Sequence, residues 1–567
     1  MSGSGLSLTR GNSRKALTAA AADAPLSMLL IAPSPAPPAA LATALVSGAA
    51  MVLTFAPFGW WWLQPFLLAL LFTLWRGAAP RRAALLGFMF GLGWFCAGVS
   101  WVYVSLHDIG GMPAVIAALA VLLFAVILSA YTALAGWLQA RVATGPRWVH
   151  ALLILPAAIT LTEWLRGWVF TGFPWISPGY AHSDGPLAGY AALTGVHGLT
   201  FIVCLAASLV AQGLQAITTR KPLVRAALGH AIRPMAGLIL LVVAGLGLRA
   251  VDWTVPLQQP VSVSLIQGNI PQELKFVPGR FESTLQSYAA LIEAHPADLI
   301  VLPETALPRM LHTLPRDYLL KLDRFASARG ATLITGVPRA EATGTDHRNG
   351  GARYFNSAIT LGRASGQGYD KSHLVPFGEF IPFGFRWFVA LMNMPLGDFT
   401  SGADTQAPLA IGQQRVAINI CYEDLFGEEI IRQLPAATLL LNLSNVAWFG
   451  DSLAPHQHLQ ASRMRALETG RVMLRATNSG ATAVIDHQGR VTHALPFFSS
   501  GVLTASVQGR SGATPYTYTG NWPVITLCVC VLSWGAWRRR VRVRAAAALS
   551  AAPVAPSVLT ARAARSH

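Results

Sequence analysis

Long apolar runs, each close to the roughly 20 residues that cross a bilayer, dominate the first half of the chain. They fall at 39–58, 60–75, 83–105, 113–140, 149–169, 190–216 and 234–252, with an eighth at 522–537. Between the seventh and the eighth, residues 253–520 alternate short strand-like and helix-like segments. Strand patterns occur at 261–267, 298–302, 331–337, 356–361, 416–420 and 437–443, and helical spacing at 281–293, 317–329 and 457–470. Such alternation predicts an α/β layered domain around a central sheet. Residues 1–38 are rich in Ala, Pro and Ser without periodicity and read as a flexible cytoplasmic leader.

Composition agrees with the pattern: 53% of residues are hydrophobic and 12% charged, against about 25% charged in an ordinary soluble chain. The net charge of +17 invites a nucleic-acid reading, but its placement argues for a membrane. Basic residues fill alternate loops: Arg10, Arg14 and Lys15; Arg76, Arg81 and Arg82; Arg141 and Arg147; Arg220, Lys221, Arg225 and Arg233; then Arg538 onward. Loops 107–112 and 171–189 hold no Lys or Arg. The positive-inside rule then predicts about eight transmembrane helices with both ends cytoplasmic. The expected division is a leader 1–38, seven spans 39–252, an extracytoplasmic domain 253–520, an eighth span 521–538 and a basic tail 539–567.

Five cysteines are too scattered for a disulfide framework. Four lie in apolar runs; Cys421 lies outside them, between the strand 416–420 and a helix-like run. A thiol at a strand-to-helix turn has backbone N–H groups nearby that favour thiolate, although a free cysteine is also a common small core residue. Glu304 follows the strand 298–302 and, by itself, reads equally as a surface carboxylate. Lys371 is one of only five lysines beside 37 arginines; an ammonium is compact and can approach an oxyanion closely. Glu379 adds a second carboxylate in the proline-flanked run 376–382.

Taken in this order, Glu304, Lys371 and Cys421 resemble the catalytic set of the nitrilase, or carbon–nitrogen hydrolase, superfamily, from Gln267, Gly268 and Asn269 to about Asp486. Further stretches carry the resemblance into the membrane half: Glu163, Trp164, Arg166 and Trp168; Gly172, Phe173, Pro174 and Trp175; Trp448, Phe449 and Gly450; Gln457 and His458; Arg463 and Arg465; Arg475 and Asn478. Together they resemble the apolipoprotein N-acyltransferase family. That resemblance implies a polytopic α-helical membrane domain plus an extracytoplasmic nitrilase-like α-β-β-α sandwich. It implies acyl transfer through a Cys421 thioester, from a phospholipid to the N-terminal amine of a diacylated apolipoprotein, in the bacterial inner membrane with the catalytic domain in the periplasm. Glu304 would be the general base and Lys371 the oxyanion partner; Glu379 would orient them, and Tyr422 and Glu423 would shape the pocket floor. A monomer without cofactor or metal is expected, and no nucleic acid as partner.

Two positions depart from the family pattern: Phe276 stands where a Trp is usual, and Val446 where an Asp is usual. Phe377, Phe380 and Trp387, with Trp448, would wall a lipid-filled entrance or simply pack. Glu163 and Arg166, three residues apart on a helix, can pair, either at the membrane interface or to position substrate. His456 and His458 suggest a metal motif but lack a third ligand at matching spacing. Two other classes fit parts of the pattern. A membrane-anchored amidase would use the same three residues behind a wet pocket, and a transporter would need repeated halves, of which the sequence has no sign.

Overall fold

A computed structural model describes residues 36–143, 145–218, 224–275, 277–342, 352–381 and 398–551. The leader, Phe276, the stretch 382–397 with Trp387, and the end of the tail lie outside the described residues.

Apolar runs that lack internal partners for their backbone fold as helices, which satisfy every N–H and C=O locally. They give α1 (Pro38–Ala50), α2 (Gln64–Trp75), α3 (Pro80–Gly98), α4 (Ala114–Arg141), α5 (Arg147–Arg166), α6 (Ala191–Thr218) and α7 (Val224–Arg249). Among the described residues, four helical stretches are long and apolar enough to cross a membrane: Ala114–Arg141, Arg147–Arg166, Ala188–Ala216 and Ile232–Arg249. Shorter apolar helices occupy Pro38–Thr54 and Trp61–Trp75. α6 is broken at Gly195, whose φ is 64°.

The domain that follows is four layers deep. After the short β1 (Thr254–Pro256), its first sheet contains β2 (Val261–Gln267), β3 (Leu299–Val301), β4 (Thr332–Ala342), β5 (Ala352–Gly362) and β6 (Gly368–Asp370). The second contains β7 (Leu409–Ile411), β8 (Gln414–Ile420), β9 (Leu439–Ser444), β10 (Val472–Thr477), β11 (Ala483–Ile485) and β12 (Val491–Ala494). β13 (Gly501–Val507) returns to the first sheet, giving two six-stranded sheets in the orders β13-β2-β3-β4-β5-β6 and β12-β11-β10-β9-β8-β7.

Strand periodicity explains the layering. Leu265, Val301, Ile418, Leu441 and Leu474 meet in a core between the sheets. Their sequence neighbours point outward: Ile266 and Ile300 pack under α8 (Phe281–Ala294) and α9 (Arg316–Ser327). Ala417, Leu440 and Met473 pack under α10 (Leu453–Thr469). The result is an α-β-β-α sandwich. α11 (Trp522–Ala551) then runs back beside α5 through a core that includes Val524, Ile525, Cys528 and Ala157.

Candidate active site

Strand direction gathers the site. β2, β3 and β4 run parallel, as do β8, β9 and β10, and parallel strands deliver the residues after their C-terminal ends to one edge. Glu304 follows β3 and Cys421 follows β8 directly; Ser444 ends β9 and Asn445 follows it. Lys371 immediately follows β6. The Glu304 turn presses against β4 at Gly336, where a Cβ would sit 2.6 Å from the Glu304 Cα; only glycine fits there.

Glu304, Lys371 and Glu379 form a buried charged set. Lys371 Nζ lies 2.9 Å from Glu379 Oε2 and 3.5 Å from Glu304 Oε1. Asn356 Nδ2 donates to Glu304 Oε1 and to Glu379 Oε1, each at 2.7 Å. Two carboxylates are thereby held beside one ammonium. Glu304 Oε2 also accepts the Asn445 backbone N–H at 2.9 Å. Burial disfavours the Lys371 ammonium, but Glu379 and then Glu304 more than offset that and hold its pKa well above the usual lysine range.

Cys421 has φ 53°, left-handed for a non-glycine residue, an uncommon conformation that the surroundings must impose. Burial first, and then the Glu304 charge, push its thiol up to about 12, while Lys371 and Ser444 pull the other way. Glu423 clamps the site from behind. Its Oε2 accepts from Ile420 N at 2.6 Å, and its Oε1 from Ser372 N at 2.7 Å and His373 N at 3.0 Å. One carboxylate thus joins the residue before Cys421 to the residues after Lys371. Burial raises the Glu423 pKa, opposed by Lys371 and those N–H groups.

The membrane half builds the floor. Arg166 donates to Glu163 Oε2 at 2.5 Å, to Trp175 O and Ser177 Oγ at 3.0 Å, and to Phe173 O. The pair is fully enclosed and shapes the loop 167–177. From that loop Gly172 O accepts the Tyr422 hydroxyl at 2.8 Å. Trp175 donates to Gln457 Oε1 at 2.6 Å and stands 5.5 Å from the His458 ring.

Matches to known families cover both halves. The model of the apolipoprotein N-acyltransferase N-terminal domain matches residues 47–209, and that of carbon-nitrogen hydrolase matches residues 262–516. The apolipoprotein N-acyltransferase of Ralstonia nicotianae is 46% identical over 506 residues, 88% of this chain and 93% of that relative. The chain belongs to the apolipoprotein N-acyltransferase family. Members from Nitrosomonas europaea and Chromobacterium violaceum are 44% and 43% identical, over 87% and 88% of this chain and 96% and 94% of theirs. Among solved structures, a carbon-nitrogen hydrolase from Helicobacter pylori aligns with 47% of this chain and 94% of that one, at TM-score 0.31 and 16% identity, too remote to carry an argument.

Within this family member the sequence-predicted residues divide into four groups. Glu304, Lys371, Glu379, Cys421 and Glu423 are gathered, as described. Tyr422 and the Glu163–Arg166 pair lie against the loop 167–177. Phe377 is exposed, Phe380 is half-buried with its carbonyl accepting Phe377 N–H at 2.9 Å, and Trp448 is exposed with its carbonyl accepting Ser105 Oγ at 2.7 Å. Phe276 and Trp387 lie outside the described residues. Val446, where a capping carboxylate is expected, is buried; the adjacent Asn445 N–H takes its carboxylate from Glu304.

Residues without a sequence signal also enter the site. Asn356 sits mid-strand in β5, and no spacing rule marks it. Lys275 is buried, with Nζ donating to the Glu304 carbonyl at 3.3 Å; burial lowers its pKa to about 8 against the pull of Glu304 and Cys421. Its rarity as one of five lysines was the available clue. Among the described residues, no group of three or more His, Cys, Asp or Glu side chains is placed to hold a metal ion.

Proposed function

We propose that this chain transfers an acyl chain from a membrane phospholipid, through a thioester on Cys421, to the N-terminal amine of a diacylglyceryl-cysteine lipoprotein. The observation that carries the reading is a Glu304–Lys371–Glu379 charged set beside a strand-end cysteine whose neighbours Tyr422 and His458 rest on the loop 167–177 of the membrane half. Glu304 takes the thiol proton as sulfur attacks the ester carbonyl. The tetrahedral oxyanion is stabilised by Lys371, which Glu379 and Asn356 hold in place. As the intermediate collapses, the C–O bond breaks, the glycerol oxygen takes the proton back from Glu304, and lysophospholipid leaves. The acceptor amine, deprotonated by Glu304, attacks the thioester; its C–N bond forms, and sulfur leaves and regains the proton.

The basic-loop pattern supports eight spans with both ends in the cytoplasm, which puts the sandwich on the periplasmic side of the inner membrane, within reach of both lipid substrates. α1, α2, α3 and α11 then complete the set of spans. The chain acts as a monomer without a cofactor. Labelled acyl transfer from phospholipid to a diacylated lipopeptide, with mass spectrometry of the Cys421 peptide, tests the reading. An acyl adduct on Cys421, absent in Cys421→Ala, is expected, and Lys371→Met should slow transfer by about 100- to 1,000-fold. Normal transfer by Cys421→Ala would exclude it.

A further inference from the structure

Beneath Cys421 lies a buried polar cluster that the chemistry above does not use. His458, on α10, has no solvent exposure. Its Nε2 lies 3.2 Å from the Cys421 carbonyl oxygen and 2.6 Å from Asp424 Oδ1. Its Nδ1 faces Arg475 Nη2 at 3.3 Å. Asp424 is held in turn by Arg475 Nη1 at 2.7 Å and by the Ser462 hydroxyl.

The partners fix the tautomer. A guanidinium only donates, so Nδ1 must accept; a carbonyl and a carboxylate only accept, so the ring proton sits on Nε2. That N–H is shared between Asp424 and the Cys421 carbonyl. Asn442 Nδ2 donates to the same carbonyl at 3.1 Å and to Asn419 Oδ1 at 2.7 Å. The main-chain oxygen of the nucleophile is therefore gripped from β9 and from α10. This is the residue with φ 53°, and a left-handed non-glycine residue persists only where its surroundings over-determine it.

The grip reaches the membrane half. The Trp175 ring packs against His458, and Trp175 is held by Gln457 through its indole and by Arg166 through its carbonyl. We propose that His458 is a positioning residue for the nucleophile: its Nε2–H holds the Cys421 carbonyl, and Trp175 holds the imidazole in place from the membrane side. The buried Glu163–Arg166 pair, which shapes the loop carrying Trp175, thereby contributes to the geometry of a thiol in the other half of the molecule. An ordinary core histidine would support folding alone; this one sets the attack geometry of Cys421.

The proposal rests on the acyl-transfer reading for its consequence, but its test has a substrate-free arm. In full-length enzyme, iodoacetamide alkylation of Cys421 and acyl transfer are measured for His458→Phe, which keeps a ring without the N–H, and for His458→Gln, which keeps a donor. His458→Phe should lower kcat for transfer by about 10- to 100-fold, the range for a reacting group displaced by about 1 Å. KM for phospholipid should change less than about twofold, Cys421 alkylation should slow, and His458→Gln should recover most of both rates. If His458→Phe fails to fold, His458→Asn, which retains an amide but falls short of the carbonyl, carries the same expectation. Unchanged kcat and alkylation in a folded Phe or Asn variant, or a loss confined to KM, would overturn it. Wild-type alkylation without acyl transfer would instead sink the function reading and leave the alkylation comparison to decide on His458.

Discussion

With the Cys421 thiol raised to about 12 by burial and by Glu304, almost no thiolate exists at neutral pH. On the proposed mechanism, sulfur and proton therefore part company during attack, with Glu304 as the acceptor. Alkylation of the free enzyme should keep rising with pH beyond about 9, where an ordinary thiol near 8.5 has begun to level off. Lys371 opposes the rise, so Lys371→Met should displace the profile further toward alkaline pH. A wild-type plateau below pH 8, followed by mass spectrometry, would contradict this. Asn356 belongs to the same scale. Its single amide nitrogen bridges Glu304 and Glu379, and Asn356→Ala should lower the transfer rate by about 10- to 100-fold through loss of carboxylate placement, read as kcat at fixed phospholipid. Glu304 and Cys421 were legible in the sequence because each follows a strand-like run, and Lys371 because lysines are rare in this chain. Asn356, Lys275 and His458 were not, because their roles arise from partners 52, 29 and 37 residues away.

The break in α6 shows how an element serves the whole. Gly195 frees the Val196 N–H, which donates to Glu468 Oε1 at 2.7 Å on α10. A Cβ at 195 would lie 2.3 Å from the Tyr516 ring, and φ is left-handed there, so Gly195→Ala should destabilise the protein by about 1–3 kcal/mol, seen as a lower thermal midpoint. Burial holds the Glu468 carboxyl up to about 7, against Arg465 and the Val196 N–H. A raised carboxyl pKa means the folded state binds the extra proton, so the contribution is complete below about 4.5 and is lost as pH rises through about 7. Melting of the wild type should therefore show a decline over that window that Glu468→Gln flattens; identical pH slopes for the two proteins would refute the assignment. Strand β12 illustrates the limit of reading elements from pattern: Val491–Ala494 is exposed at every position, so it carries no alternation to detect.

At the scale of the molecule, the two halves interlock rather than merely adjoin. Tyr180 donates to Leu425 O at 2.9 Å, Tyr422 to Gly172 O, and Ser105 to Trp448 O. On the proposed topology, the loops at 107–112 and 171–189 face the same side as the sandwich. A cysteine replacing Gly111, in a chain whose native cysteines are serine, should react with an impermeant maleimide in spheroplasts, and one replacing Gly77 should not; the reverse pattern would invert the orientation. The apolar runs, the basic loops and the strand ends before Glu304 and Cys421 were determined by local sequence, because bilayer length, charge placement and strand period are local properties. The tertiary structure alone decided which amide bridges the carboxylates, which histidine meets the Cys421 carbonyl and how a membrane-half loop comes to lie against Tyr422. Those facts depend on close approach between segments far apart in the chain, and no local pattern encodes a distance.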